Sequence, residues 1–526
     1  MEREAKPSAS IRSMAVLPLP SRYAPERAIL ELGDSFYDPV EAADFPQTIL
    51  RFRNDRWARA VGLAALSDED WVRHFGRFEP LPGTLERPLA LRYHGHQFRV
   101  YNPDIGDGRG FLFAQLRDGE GRLLDLGTKG SGQTPYSRFG DGRLTLKGGV
   151  REVLATEMLE ALGVETSKSF SLIETGEALE RNDEPSPTRS AVLVRLQHSH
   201  IRIGTFQRLA YFGEEENLAK LTDYCLRHYY GEPETGHCEE PFDAACGGAQ
   251  DKLPLRGSDE AIQAAADPEA GLLRSARNDA AVALLRHVVR EAARLAASYI
   301  AAGFVHGVLN SDNIAITAES FDYGPWRFTP CWDGHFTAAY FDHAGLYSFG
   351  RQPEAIHWDV LQLARSLTLV ADVEALRPEL DAFPAAFQDA LVAAMLRRLA
   401  IVPTGTERDA ALLAAIETAL ARQTVTIDRF FFDWRGGRRR GRSPADEAYG
   451  SEEFAALQPL LADYQAVPGA LDHDYWAGAA PCSMHIDEVE AIWSAIDELD
   501  DWTPFEAKIA AVRRMGEAMR RSALPS

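Results

Sequence analysis

Between residues 97 and 129 apolar and polar positions alternate with a period close to two, in "QFRVYN", "GFLFAQL" and "LLDLGTKG". A glycine cluster and the turn "RDGEGR" separate these segments. Such alternation predicts strands, so the stretch reads as strand, Gly-rich loop, strand, turn, strand. The period then changes. Val150, Leu154, Met158 and Leu162 recur at every fourth position and predict a helix over about 147–162 with one apolar face. Strand patterning returns in "FSLIET" and "SAVLVRL", with the polar, Pro-containing loop 176–189 between them. Beyond about residue 213 helical spacing dominates, broken by a Gly/Pro-rich insertion near 231–275. The helix "AVALLRHVVREAARLAASYIAAG" then runs straight into "HGVLNSDNIAI" at 306–316. Residues 1–85 mix short helical signals with Pro-rich turns and are expected to pack on something larger.

Size and charge narrow the classes. The 526 residues allow two to four structural units, and 45% hydrophobic with 25% charged residues is ordinary for a soluble globular protein. Apolar runs are short and interrupted by charge, which predicts neither a membrane span nor a secretory signal. Glu2 and Glu4 count against a transit peptide, so a cytoplasmic enzyme, expected to be a monomer, is the default. A formal charge of −22 excludes a general nucleic-acid binder, because phosphate-backbone binding needs a basic footprint. An acidic protein that handles an anion must gather its positive groups locally. The dense run "RGGRRRGR" at 435–442 reads instead as a solvated loop. Five cysteines, an odd number, point to a reducing compartment. Cys225, His228, His237, Cys238 and Cys246 fit no zinc spacing and read as ordinary thiols and histidines. Cys331 follows "DYGP" with nothing that demands a redox role, and His198 and His200 alternate as on the polar face of a strand rather than as a metal pair.

Several constellations carry chemistry. In "GDGRG", Gly106 and Gly108 let the backbone approach a ligand, and Arg109 suits phosphate oxygens. Lys129 ends the third strand, and Glu152 is expected one turn into the following helix. A strand lysine held by a helix glutamate is how kinases aim an ammonium at nucleotide phosphates. Between them "GSGQTPYSRFGDGR" has four glycines, which brings Asp141 and Gly142 in as ligand contacts. Arg195 and Arg202 add two more positive groups. In "HGVLNSDN", His306 and Asn313 have the separation of a kinase catalytic loop, but Val308 stands where that loop has its Asp. Asp312 supplies a carboxylate beside Asn313. Asp322 in "DYGP" resembles the kinase metal-binding Asp, and an amide with a carboxylate offers the hard oxygens that Mg²⁺ or Mn²⁺ takes. A β-rich lobe with one helix, followed by a helical lobe, is the bilobal α+β plan of a protein-kinase-like fold.

The motifs "RYHGHQF", "GDGRG", "KGSGQTPYSRFGDGR", "REVLATEML", "SHIRIGTF", "HGVLNSDN", "DYGP" and "YSFGRQPEAIHW" together resemble the SelO (YdiU) family of pseudokinase-like protein adenylyltransferases. The resemblance is dense from about 91 to 370. It implies a kinase fold that binds ATP in a flipped orientation and transfers AMP to Ser, Thr or Tyr hydroxyls of target proteins. It implies that Gly106, Gly108, Arg109, Lys129, Asp141, Gly142, Arg195 and Arg202 hold the nucleotide. Asn313 and Asp322 would hold Mg²⁺ or Mn²⁺, Asp312 would accept the proton, and Glu152 would orient Lys129. The expected organisation is an N-terminal extension over 1–90, a nucleotide-binding lobe over 91–212, a helical lobe over 213–450 and a C-terminal helical extension over 451–526. Many members end in a redox motif with selenocysteine or cysteine, whereas no cysteine follows Cys482 here, so redox control through the tail is not expected. The rival readings are a non-catalytic nucleotide-binding scaffold and an atypical protein kinase, and UTP stays open as a donor.

Overall fold

The alternating segments assemble into one large antiparallel sheet. The computed structural model describes residues 22–182, 184–232 and 268–521. Within them the sheet takes β1 (Pro25–Glu26), β2 (Tyr37–Pro39), β3 (Ile49–Arg53) and β4 (Leu89–Leu91) from the N-terminal segment. Helices α1 (Asp55–Ala60) and α2 (Asp68–Phe75) lie between the last two of these strands. A separate hairpin, β5 (Gly95–Gln97) with β6 (Val100–Asn102), precedes β7 (Leu112–Arg117), β8 (Leu123–Lys129) and β9 (Leu144–Thr145). Helix α3 (Leu146–Ala161) leads to β10 (Lys168–Leu179) and β11 (Thr188–Gln197). The strand order is β2-β4-β7-β8-β11-β10-β3, with β1 on β7 and β9 on β11. The periodicity finds β7, β8, α3, β10 and β11. It misreads "QFRVYN", which is two short strands around a turn at Phe98 and Arg99, both in the left-handed region at φ +49° and +62°.

Period-two alternation gives the sheet two buried faces. Phe113, Leu124, Leu126, Phe170, Val192 and Val194 pack with Trp71 and Phe75 on one side. Leu112, Leu123, Leu172, Ala191 and Leu193 pack with α3 on the other. Register then does the positioning. Lys129 faces Leu193 and Gly127 faces Arg195, so Lys129 and Arg195 are diagonal neighbours on the face that α3 covers. Gly127 is required there, because a Cβ would lie 1.7 Å from His200 Nε2.

The remainder is helical. After α4 (Ile203–Phe212) and α5 (Glu215–Cys225), α6 (Pro268–Ala302) ends at Gly303, whose φ of +71° is a value glycine takes without strain. The short pair β12 (Phe304–Val305) and β13 (Arg327–Phe328) brackets the segment carrying Asp312, Asn313 and Asp322. Then come α7 (Gln352–Leu367), α8 (Val373–Asp381), α9 (Phe383–Leu399), α10 (Thr406–Leu420), α11 (Ile427–Asp433) and α12 (Glu452–Ala462). Last are α13 (Ile486–Leu499) and α14 (Thr503–Arg520), which return to α3. Glu490 bonds Lys147 at 2.7 Å, and Arg513 bonds Glu157 at 2.7 Å. Among the described residues no helix is long and apolar enough to cross a membrane.

Two expectations are corrected. The run at 435–442 is not simply solvated. Arg435 is 1% exposed, donates to the Arg398 carbonyl at 2.8 Å and stacks 4.7 Å from the Trp476 ring centre, while Arg440 donates to the carbonyls of Phe432 and Trp476. These guanidiniums satisfy buried carbonyls, a task that dense charge in sequence conceals. His198 and His200 lie just past the end of β11 rather than on its polar face. His200 is buried 3.4 Å from Asp125. Of the cysteine and histidine set, His237, Cys238 and Cys246 lie outside the described residues.

Candidate active site

The centre of the site is a charge quartet, buried except for Asp322, which is partly exposed. Lys129 Nζ lies 2.6 Å from Glu152 Oε2 and 2.6 Å from Asp322 Oδ1. Arg195 lies 3.4 Å from Glu152 and 3.7 Å from Asp322. Glu152 comes from α3, almost two turns in rather than one, and is completely buried. Two cations and two carboxylates balance in formal charge. Burial alone would raise the Asp322 carboxyl, but Lys129, Arg195, Arg109 and Arg202 together hold it well below the ordinary range. All four sequence-predicted cations therefore bear on one carboxylate. Asp322 itself sits at φ +63°, a conformation that costs a non-glycine residue energy.

Arg202 ties this cluster to the loop before it. Its Nη1 donates to the Asp312 backbone carbonyl at 2.8 Å, and its Nη2 meets Asp107 Oδ1 at 3.3 Å. The guanidinium lies over the rings of Tyr93 and Phe321, 4.4 and 4.8 Å from their centres. His306 braces the same region from below. Its Nε2 donates to the Phe321 carbonyl at 2.9 Å, and burial keeps the ring neutral. Asn313 Nδ2 donates to the Val308 carbonyl at 3.1 Å, which leaves the amide oxygen for another partner. Asp312 is 7% exposed, and its buried Oδ1 has no hydrogen-bond partner. Burial pushes its carboxyl up to about 6, with Arg202 opposing the rise and Asp322 adding to it.

The glycine segments enclose the other end. A Cβ on Gly106 would lie 2.5 Å from the Tyr136 ring, and one on Gly108 would lie 3.0 Å from the Tyr136 carbonyl. Ser137 Oγ donates to the Gly108 carbonyl at 2.5 Å, so the two glycine-rich stretches are stapled together. Arg109 is exposed on this turn. Asp141 and Gly142 stand apart from the charge quartet, Asp141 on the wall of a cavity of about 500 Å³ shared with Gln133, Arg143 and Glu177. Asp141 pairs with Arg181 at 2.7 Å, and Gly142 (φ +70°) leaves no room for a Cβ, which would lie 2.2 Å from the Gly132 carbonyl.

A family model described as "Protein adenylyltransferase SelO" matches residues 21–463. The chain belongs to the SelO family. Among its relatives is "Protein nucleotidyltransferase YdiU" of Gloeobacter violaceus, 43% identical over 509 residues, covering 93% of this chain and 95% of that protein. The protein of the same name from Synechocystis is 40% identical over 499 residues, covering 91% and 96%. Another from Pseudomonas putida is 35% identical over 384 residues, covering 72% and 68%. As a SelO-family member the chain is an enzyme, a nucleotidyltransferase.

Sequence reasoning missed several participants in this SelO-family site. Asp107, inside the glycine turn, is the buried acceptor for Arg202 and also takes the Leu91 N–H at 3.0 Å. Arg151, next to Glu152, donates to the Trp326 carbonyl at 3.2 Å and meets Glu490 at 3.4 Å. It thereby fastens α3 to the segment following Asp322. Asp359 on α7 is fully buried with neither carboxylate oxygen hydrogen-bonded. Burial, with Asp312 adding to it and Arg99 opposing, raises its carboxyl well above the usual value. Only Arg151 had a signal in the sequence, its place beside a candidate glutamate.

Proposed function

We propose that the chain transfers AMP from ATP to Ser, Thr or Tyr hydroxyls of target proteins and releases pyrophosphate. The contacts of Lys129 and Arg195 with Asp322, and of Arg202 with the Asp312 carbonyl, carry this reading. A kinase relies mainly on one strand lysine, whereas pyrophosphate leaving from the α-phosphorus is a more highly charged group than ADP. Fixed cations held before the reaction stabilise that charge without reorganising. In this reading the strand-rich 91–212 and helical 213–450 are the two lobes of a kinase-like fold, with 1–90 and 451–526 as extensions, and the enzyme acts as a cytoplasmic monomer on soluble proteins.

Gly106, Gly108, Arg109, Lys129, Asp141, Gly142, Arg195 and Arg202 hold the nucleotide, with phosphates at the cations and the adenosine end toward the cavity beside Asp141. The acceptor oxygen attacks the α-phosphorus, the bond to the bridging oxygen of pyrophosphate breaks, and the hydroxyl proton passes to Asp312. A carboxylate that titrates near 6 is matched to that task close to neutral pH. Val308 has no part in the proton transfer, and its carbonyl fixes the Asn313 amide instead. The amide oxygen of Asn313 and the Asp322 carboxylate fit a hard divalent cation. Mg²⁺ in particular is held by one or two protein oxygens with phosphates and water completing its shell. Bound there, Mg²⁺ or Mn²⁺ would neutralise phosphate charge.

The test uses ATP labelled at either phosphorus with an acceptor protein. Label from the α-position on a hydroxyl, with a mass gain of one AMP and release of pyrophosphate, is the expected result. Label only from the γ-position means a kinase, and tight binding without transfer of either label means a scaffold. UTP in parallel, with a gain of one UMP, decides the donor.

A further inference from the structure

Exposed large apolar side chains are not scattered evenly over the described surface. Phe98, Val100, Tyr340 and Phe341, which are 36%, 69%, 80% and 42% exposed, gather at the tip of the β5–β6 hairpin, and Tyr211 and Phe212 flank its other side. The Phe98 ring centre lies 5.8 Å from that of Phe341, which lies 5.0 Å from Tyr340. Tyr101 on β6 stacks 5.5 Å from Tyr211. Isolated exposed hydrophobics need no explanation, but a contiguous group marks an interaction surface.

This hairpin is fastened to the loop that carries Asp312. The Phe98 N–H donates to Asn310 Oδ1 at 3.0 Å, and the His96 N–H donates to Ser311 Oγ at 2.8 Å. Asn310 Oδ1 also accepts from the Tyr347 hydroxyl at 2.8 Å. The tip keeps two consecutive non-glycine residues in the left-handed region, a strained arrangement held by these bonds and by Arg99, which pairs with Glu354 at 2.8 Å and lies over Trp358. The strain presents Phe98 outward, beside the catalytic loop, instead of burying it.

We propose that this apolar tip is the docking surface for the acceptor polypeptide, a segment that carries a bulky aromatic or aliphatic side chain within a few residues of the modified hydroxyl. The proposal rests on the protein-transferase reading above. A hydroxyl delivered on a polypeptide needs contact area beyond the reacting atoms, and this patch lies against the residues preceding Asp312. Its cations are already paired, Arg99 with Glu354 and Arg208, which lies over Phe212, with Glu214, so recognition there is apolar and not ionic.

The experiment compares the full chain with Val100→Asp/Tyr340→Asp. Both side chains are exposed and neither takes part in the chemistry. Acceptors are Ser-containing peptides of one length, with Phe or Leu against Asp scanned through the flanking positions, and the donor is α-labelled ATP. Wild type is expected to favour the Phe and Leu series at least 10-fold. The double variant is expected to lose that preference through a KM for peptide raised about 10-fold, with ATP affinity and melting temperature unchanged. Equal transfer to apolar and acidic peptides by wild type, or an unchanged preference in the variant, overturns the docking surface while leaving AMP transfer standing. Label from the γ-position, or no label on any peptide, overturns the transferase reading and this proposal with it.

Discussion

Replacing Lys129 with Met removes one charge from a balanced quartet. Its side chain is 5% exposed and that of Glu152 is 0% exposed, so Glu152 cannot regain water, whereas Asp322 at 26% exposed partly can. Breaking a buried pair by deleting one member costs about 3–5 kcal/mol, because the other charge stays buried and uncompensated. Here Arg195 remains 3.4 Å from Glu152 and 3.7 Å from Asp322, and one guanidinium must then serve two carboxylates. A loss near the lower end, about 3 kcal/mol, follows. Lys129→Met/Glu152→Gln restores neutrality, since Arg195 and Asp322 then pair alone. Urea unfolding of the nucleotide-free protein should show the double variant recovering at least half of the loss. Transfer of the α-label should be absent from both variants, because no ammonium reaches the phosphates. A double variant no more stable than the single one would refute the charge-balance argument, and transfer at the wild-type rate by Lys129→Met would refute the nucleotide role.

Three further outcomes follow from the same geometry. Asp312 must be ionised to accept a proton, and with its carboxyl raised to about 6 the rate of transfer should climb with pH through that value and level off above it. Asp312→Asn should lose both the limb and roughly 10²–10⁴-fold of the rate, as read in a pH–rate profile. Gly95→Ala would bring a Cβ to 2.8 Å from Asp312 Cβ, and displacing a base by about 1 Å costs about 10²-fold in rate; calorimetry should show ATP affinity retained. The folded state keeps a proton on Asp359 where the unfolded chain has lost it, so this residue makes stability fall as pH rises above the usual 3.8. Asp359→Asn should flatten that slope and be the more stable protein at pH 8 in urea unfolding, and an unchanged slope would show that Asp359 is not buried as a neutral acid.

The elements that position the site were legible where one local period governs them. Lys129 and Glu152 could be paired on paper because a strand end and a helix turn each follow from spacing within a few residues. Arg195 and Arg202 were legible as charges but not as partners. Which residue Arg195 reaches depends on the register of β11 against β8, and which residue Arg202 reaches depends on where the glycine turn places Asp107. The buried arginines at 435 and 440 were illegible for the opposite reason. Their partners are backbone carbonyls, which every residue has, so no side-chain pattern announces them.

The glycines show how one residue can answer to two separate arguments. Gly106 and Gly108 point to a phosphate loop in sequence, because a backbone without Cβ lets a ligand approach. In the folded chain the space that a Cβ would need at Gly106 is already taken by the Tyr136 ring, and at Gly108 the Tyr136 carbonyl crowds it. Packing of the turn under residues 134–137 therefore demands glycine before any nucleotide arrives. Thr134 and Ser137, donating to the carbonyls of Asp107 and Gly108, lock the two segments in that arrangement. Asp107 is held in the same turn, where it meets Arg202, and Arg202 in turn holds the Asp312 backbone. A side chain at Gly106 would thus disturb the loop that carries Asp312 through Tyr136 and the turn, and loss of activity in such a variant would not by itself identify a phosphate contact. Nucleotide affinity measured separately from transfer distinguishes the two roles.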